Sequence, residues 1–205
     1  MELFEAINTR RSSHDYKPGM KISREQWEEL FGYTLQSPTS WNLQPWKFLV
    51  IEDDEKREAI RKMAWDQDII TNSSAVIVVL GDTDPHRNKV EIFQQWRDQG
   101  IINEEIHEAW LNAVGAVYPT DYEQHEFAIR NTSFGAMTLM LAAHGMGLNT
   151  TPMIGFDKKA LSEYIGVPEG WILSFIITIG YPDKGEPFER QPRYGMDQVV
   201  SFDEL

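Results

Sequence analysis

The sequence contains no cysteine. That absence removes disulfides, thiolate nucleophiles, zinc ribbons and cysteine-held iron–sulfur clusters together. Basic side chains are scarce: 19 Lys and Arg stand against 32 Asp and Glu, for a formal net charge of −13. So acidic a chain repels nucleic acid and anionic membrane surfaces, and neither is expected as a partner. No apolar run is long enough to span a bilayer, and no basic leader with an apolar core opens the chain, so a cytoplasmic protein is expected. Several catalytic signatures are missing as well. There is no Gly-x-Ser-x-Gly nucleophile elbow. Gly145-Met146-Gly147 lacks the third glycine of a dinucleotide fingerprint and ends a helix instead of opening one. His107-Glu108 and His125-Glu126 have no second histidine at metal-ligand spacing and read as surface helix residues. Asp82-Thr83-Asp84 is too short for a calcium loop and lacks its glycine and distal glutamate. No metal site is expected.

What is present is core-forming material: 205 residues, 41% apolar and 12% aromatic, most simply one domain over 1–205. Ser23-Arg24-Glu25-Gln26 reads as a capping box, and the helix it opens runs until Pro38. Phe48–Ile51 and Ala75–Leu80 are β-branched apolar runs that suit strands covered on both faces, with a helix near 55–64 between them. Residues 91–117 read as helical with a break near Gly100, a partly exposed lid within about 84–123. The longest helix is expected over 121–144, closed by Gly145 and Gly147. Asp157 caps a short helix through Ile165, and Ile172–Ile179 is a third apolar strand. Beyond Pro182 the chain becomes a polar arm, about 183–205. Strands alternating with helices predict an α/β (α+β) sandwich with a central mixed sheet flanked by helices. Met137, Leu139, Met140 and Leu141 read as core or interface. Asn72-Ser73-Ser74, Asn131-Thr132-Ser133 and Asn149-Thr150-Thr151 match the glycosylation sequon by chance.

Three segments hold the chemistry. The few cations gather near the two ends: Arg10, Arg11, His14 and Lys17 at one, Lys184, Arg190 and Arg193 at the other. Pro38-Thr39-Ser40-Trp41-Asn42 is a stiff loop rich in donors ahead of a strand. Pro152-Met153-Ile154-Gly155-Phe156-Asp157 places a proline and a glycine before a helix cap. Separately each has a plain structural account: arginines pairing a helix end, a helix-to-strand turn, and a β-turn.

Together, and in this order, the segments resemble the nitroreductase family of FMN-dependent oxidoreductases, over about residues 3–200. The resemblance implies that Arg10, Arg11, Ser12 and His14 reach the FMN phosphate and pyrimidine edge. His14 departs from the usual Arg or Lys, and histidine can gain or lose its charge in the physiological range. Pro38, Thr39, Ser40 and Asn42 would contact the flavin from a second subunit. Gln67 matches an amide that reads the pyrimidine edge. Pro152, Met153, Ile154 and Gly155 would turn backbone amides towards N5 and O4, the glycine allowing close approach. Arg193 would close over the phosphate, with Gln191 where a second basic residue is common and Arg190 beside it. Trp41 and Trp46 read as packing residues.

The family's activity implies a homodimer with its C-terminal arm exchanged between subunits. NADH or NADPH would pass hydride to the flavin, and a small aromatic acceptor such as a nitroaromatic or quinone would follow in a ping-pong cycle. No catalytic side chain is required. The rivals are another reaction on the same cofactor, such as dehalogenation or flavin reduction, and an FMN-binding redox module without turnover.

Overall fold

The computed structural model describes residues 1–183 and 189–204; Lys184 lies outside them. Strand β2 (Ala75–Asp82) is buried at every position, as its unbroken apolar run requires. Alternate side chains point to opposite faces. Ala75, Ile77 and Val79 meet Trp27 and Leu30 of helix α2 (Arg24–Thr34) and Leu139, Met140 and Ala143 of helix α7 (Asp121–Gly145). Val76, Val78 and Leu80 face the other way, onto Ile60 of α3 (Asp54–Met63), Ile70 of α4 (Ile69–Asn72) and Leu161 of α8 (Lys158–Ile165). Fully burying one such aliphatic side chain stabilises the fold by about 1.5–3 kcal/mol, so this two-sided core fixes the sheet between its helical layers.

The strands run in the order β1 (Trp46–Ile51), β2, β4 (Trp171–Gly180), β3 (Asn149–Met153). All three ladders are antiparallel. The expected mixed sheet is therefore an antiparallel one among the described residues, and the parallel pairing from Ser12 to Thr150 is an isolated bridge outside its strands. Two strand expectations are corrected. β1 is an edge strand with Lys47 and Leu49 exposed, so it is covered on one face instead of two. Pro152 and Met153, expected in a turn, are the last residues of β3. Proline is tolerated there because β3 is the opposite edge, where one side of the backbone needs no donor.

The expected helix stops and starts have physical causes. Ser23 and Gln26 form the reciprocal capping box of α2, and Thr120 and Glu123 form one for α7. The lid is two helices, α5 (Lys89–Asp98) and α6 (Glu104–Gly115), with the break at Gly100 in left-handed backbone. They enclose a small core of their own: Leu43, Ile92, Phe93, Ile102, Val114 and Phe127, with Trp41, Trp96 and Trp110 against it. His107, expected on the surface, is buried in α6 with neither ring nitrogen hydrogen-bonded among the described residues. His125 is exposed. Among the described residues no helix is long and apolar enough to cross a membrane, and no cluster of His, Asp and Glu could hold a metal ion.

Candidate functional site

The arginine segment follows α1 (Leu3–Thr9) and is held along the free edge of β3. The Ser13 N–H donates to the Thr150 carbonyl (3.3 Å), and Thr151 Oγ1 donates to the Ser13 carbonyl (2.6 Å). Tyr16 is buried beneath, its hydroxyl 2.9 Å from Thr178 Oγ1 and 3.1 Å from the Thr178 carbonyl. Burial pushes the Tyr16 phenol up to about 12, so it remains a neutral donor. These contacts stiffen a segment that is otherwise short and polar.

The fold then brings the two ends of the chain together. Arg10, Arg11, Ser12 and His14 line a cavity of about 320 Å³ with Glu189, Arg190, Gln191 and Arg193. Arg11 and Arg190 cap the carbonyl end of α1: Arg11 Nη1 donates to Asn8 O (2.8 Å), and Arg190 Nη2 to Asn8 O (2.8 Å) and Ile7 O (3.2 Å). Helix-end pairing is therefore real for these two. Arg193 Nη1 donates to the Gln191 and Pro192 carbonyls. Arg10 differs. Its Nη1 is buried with no hydrogen-bond partner among the described residues. Burial lowers the Arg10 pKa, and the neighbouring charges of Arg190, Arg11 and Arg193 lower it further. Among the described residues none of these four arginines is in an ion pair. Four cations around a buried, unanswered N–H donor fit a phosphate dianion, which would supply the missing acceptor and the missing charge together.

From Ser12's partner Thr150, β3 runs on to Met153, about 10 Å further along the strand, and Ile154 and Gly155 follow it in the loop. Neither the Ile154 nor the Gly155 amide N–H has an acceptor among the described residues; Pro152 has no N–H to offer. A Cβ at Gly155 would lie 2.8 Å from the Trp65 ring, so packing against Trp65 also favours glycine there. Gln67 Nε2 donates to the Gly155 carbonyl (3.2 Å) and the Ala64 carbonyl (2.9 Å). Gln67 thus stands at the same loop, and among the described residues its side-chain oxygen has no hydrogen-bond partner. A carboxamide oxygen of this kind accepts an imide N–H.

Pro38, Thr39, Ser40 and Asn42 sit elsewhere. Trp41, Asn42 and Gln44 adopt left-handed backbone, with φ of 54°, 55° and 48°, a conformation side chains other than Asn and Asp seldom take. The loop is locked by Thr39 Oγ1, which accepts from Gln44 N (3.1 Å), and by Trp41 packed edge-on to Trp110. Asn131 of α7 accepts the Ser40 N–H through Oδ1 (2.8 Å), while Ser40 Oγ lies 2.9 Å from the Tyr118 hydroxyl. The arginine segment meets the other end of α7, where Thr9 Oγ1 is 2.8 Å from His144 Nε2. Asn131 and His144 are about 20 Å apart along the helix axis at its usual rise. Within one chain, the loop and the arginine cavity are therefore not adjacent.

Three residues absent from the sequence-based set belong to this geometry. Asn131 was hidden in a glycosylation sequon but is buried, so it can carry no glycan. Tyr118 ties the lid to Ser40. His144 carries a lowered pKa, mainly from burial, with Arg10 and Arg11 adding to the effect. Only the position of His144 at the end of the longest helix hinted at a role.

A family model described as the nitroreductase family matches residues 7–181. Over 198 residues, 97% of each chain, the sequence is 31% identical to the Bacillus subtilis protein named "Putative NAD(P)H nitroreductase YodC". It is 30% identical to "Protein DrgA" of Synechocystis over 93% of this chain and 89% of that one. Among solved structures, a Bacillus subtilis "putative nitroreductase ydfN" superposes with a TM-score of 0.92, 28% identity and 97% coverage of each chain. A nitroreductase structure from Exiguobacterium sibiricum, described as "in complex with FMN", gives 0.88 and 26%, covering 99% of this chain and 98% of that one.

Proposed function

This chain belongs to the nitroreductase family, and from that premise we propose that it works as a homodimer with two FMN sites shared between its subunits. It is an FMN-dependent NAD(P)H oxidoreductase. The observation that carries the reading is Arg10: among the described residues its buried guanidinium donor has no acceptor, and neither it nor the three arginines around it forms an ion pair. A buried donor of this kind calls for an acceptor, and a bound phosphate would supply one.

Each part of the chain then has a task. Arg10, Arg11, Arg190 and Arg193 hold the phosphate, with Ser12 and His14 at the cavity wall. The free amides of Ile154 and Gly155 donate to the edge of the ring, where a backbone donor cannot titrate, and Gln67 Oε1 accepts from the pyrimidine N–H. Thr39, Ser40 and Asn42 reach the same cofactor from the partner, because in their own chain they lie at the far end of α7.

FMN, when bound, would supply two-electron hydride chemistry between NADH or NADPH and a nitroaromatic, quinone or related acceptor. The protein places the two planar reactants in turn on one open face, a ping-pong order that needs no nucleophile or general base. The dimer is supported by apolar side chains left in the open. Phe134 and Met137 form an outward stripe on α7, Leu3, Phe4 and Ile7 line α1, and Tyr194, Met196, Val199 and Phe202 stud the C-terminal arm. So much exposed apolar surface supports an interface there, and the C-terminal arm would be exchanged across it.

Purified protein should be yellow and release FMN on denaturation, and NADH or NADPH should bleach the flavin within seconds under anaerobic conditions. Liberated FAD, or no flavin after incubation with FMN, would contradict the site. FMN reduced only over hours would contradict the enzyme and favour a binding module.

A further inference from the structure

We propose that Tyr118 is a positioning residue for Ser40, and that through it the lid and the cofactor-facing loop move as one unit. The inference rests on the reading of Ser40 as a flavin contact.

Tyr118 lies just past the end of α6, two residues before the cap of α7, and its backbone is left-handed at φ 59°. A bulky aromatic residue seldom accepts that conformation unless its surroundings impose it. Here they do. The Tyr118 ring packs on Phe127 with centroids 4.8 Å apart, and its carbonyl accepts from Gln124 Nε2 (3.1 Å). The strained backbone aims the phenol at Ser40 Oγ, 2.9 Å away.

A serine hydroxyl has one hydrogen and two lone pairs. When the Tyr118 phenol donates to Ser40 Oγ, the Ser40 hydrogen stays available to a second acceptor, such as a bound ligand. Asn131 holds the Ser40 N–H at the same time, so the residue is fixed from two sides, at its amide and at its hydroxyl oxygen. The lid grips this loop at two further points. Trp110 of α6 packs edge-on to Trp41 with centroids 5.9 Å apart, and Asn88 Nδ2 donates to the Leu43 carbonyl (3.1 Å). A displacement of the lid is therefore felt at Ser40.

The test is a double-mutant cycle on the FMN dissociation constant of the full-length protein, titrated by flavin fluorescence, with Tyr118→Phe, Ser40→Ala and the pair. Tyr118→Phe removes one oxygen and keeps the ring on Phe127; circular dichroism verifies the fold. Each single variant should weaken FMN binding about two- to tenfold. The pair should be no weaker than the worse single variant, since both remove one relay. A purely structural Tyr118 would instead multiply the two losses. Multiplied losses, or unchanged FMN affinity in Tyr118→Phe, overturn the inference while leaving the FMN site intact. Unchanged affinity in Ser40→Ala overturns the placement of Ser40 itself.

Discussion

Replacing Arg10 by methionine separates binding from stability, because the two should move in opposite directions. In the apoprotein the Arg10 guanidinium has a buried Nη1 without a partner among the described residues, and the charges of three arginines bear on it. A buried polar group left unsatisfied costs about 1–3 kcal/mol. Methionine keeps much of the side chain's length and removes both the charge and the donor. The apoprotein should therefore gain stability, and in a chain of this size each kcal/mol raises the melting temperature by about 2–4 °C. FMN binding should suffer, since a hydrogen bond to a charged group is worth about 1.5–3 kcal/mol, roughly 10- to 150-fold in affinity. Scanning calorimetry of apo and FMN-loaded protein reads both effects: the apo transition rises, and the gap between apo and loaded transitions shrinks. An apo melting temperature that falls, with FMN affinity unchanged, would make Arg10 an ordinary structural cation and refute the argument.

Arg193→Ala should also weaken FMN binding, by about tenfold. The loss should stay below that of Arg10→Met, because Arg193 is exposed; equal affinity to wild type in equilibrium dialysis would remove Arg193 from the site. His144 has a lowered pKa in the fold, so the neutral form is favoured there. Its contribution is fully present above about pH 6.5 and is lost as pH falls through the lower folded value. Urea unfolding of the apoprotein should show less loss between pH 7.5 and 5 in His144→Gln than in wild type. Added FMN should raise the His144 pKa in an NMR titration by offsetting Arg10 and Arg11. Asp82 is wholly buried, accepting from Arg87 Nε and from the Asp84 N–H at the root of the lid. Asp82→Asn should cost about 1–3 kcal/mol in chemical denaturation, and no change would mean the pair adds nothing. Sedimentation should show a dimer, and a monomer that still binds FMN would end the shared-site reading.

The parts of the molecule legible in the sequence are those fixed by local physics. β2 is an apolar run with no other use, and Ser23 and Asp157 announce helices because a cap acts within three residues. β3 was not legible: Asn149-Thr150-Thr151-Pro152-Met153 is short, polar and interrupted by proline, and only its place at a sheet edge makes it a strand. The candidate site divides in the same way. Its arginines and its Pro and Gly loops stand out as residue types. The contacts that hold them do not, because Ser40 meets Tyr118 across 78 residues, Thr9 meets His144 across 135, and Tyr16 meets Thr178 across 162. His107 was misplaced because a histidine–glutamate pair on a helix signals surface, whereas the lid closes its own small core around it.

The most direct test is a crystal structure of the FMN-loaded protein. The phosphate should lie in the cavity of Arg10, Arg11, Arg190 and Arg193, with Arg10 Nη1 bonded to a phosphate oxygen. The ring edge should meet the Ile154 and Gly155 amides, and Ser40 should approach from the other subunit. A phosphate bound outside that cavity, or a site completed within one chain, would contradict the account.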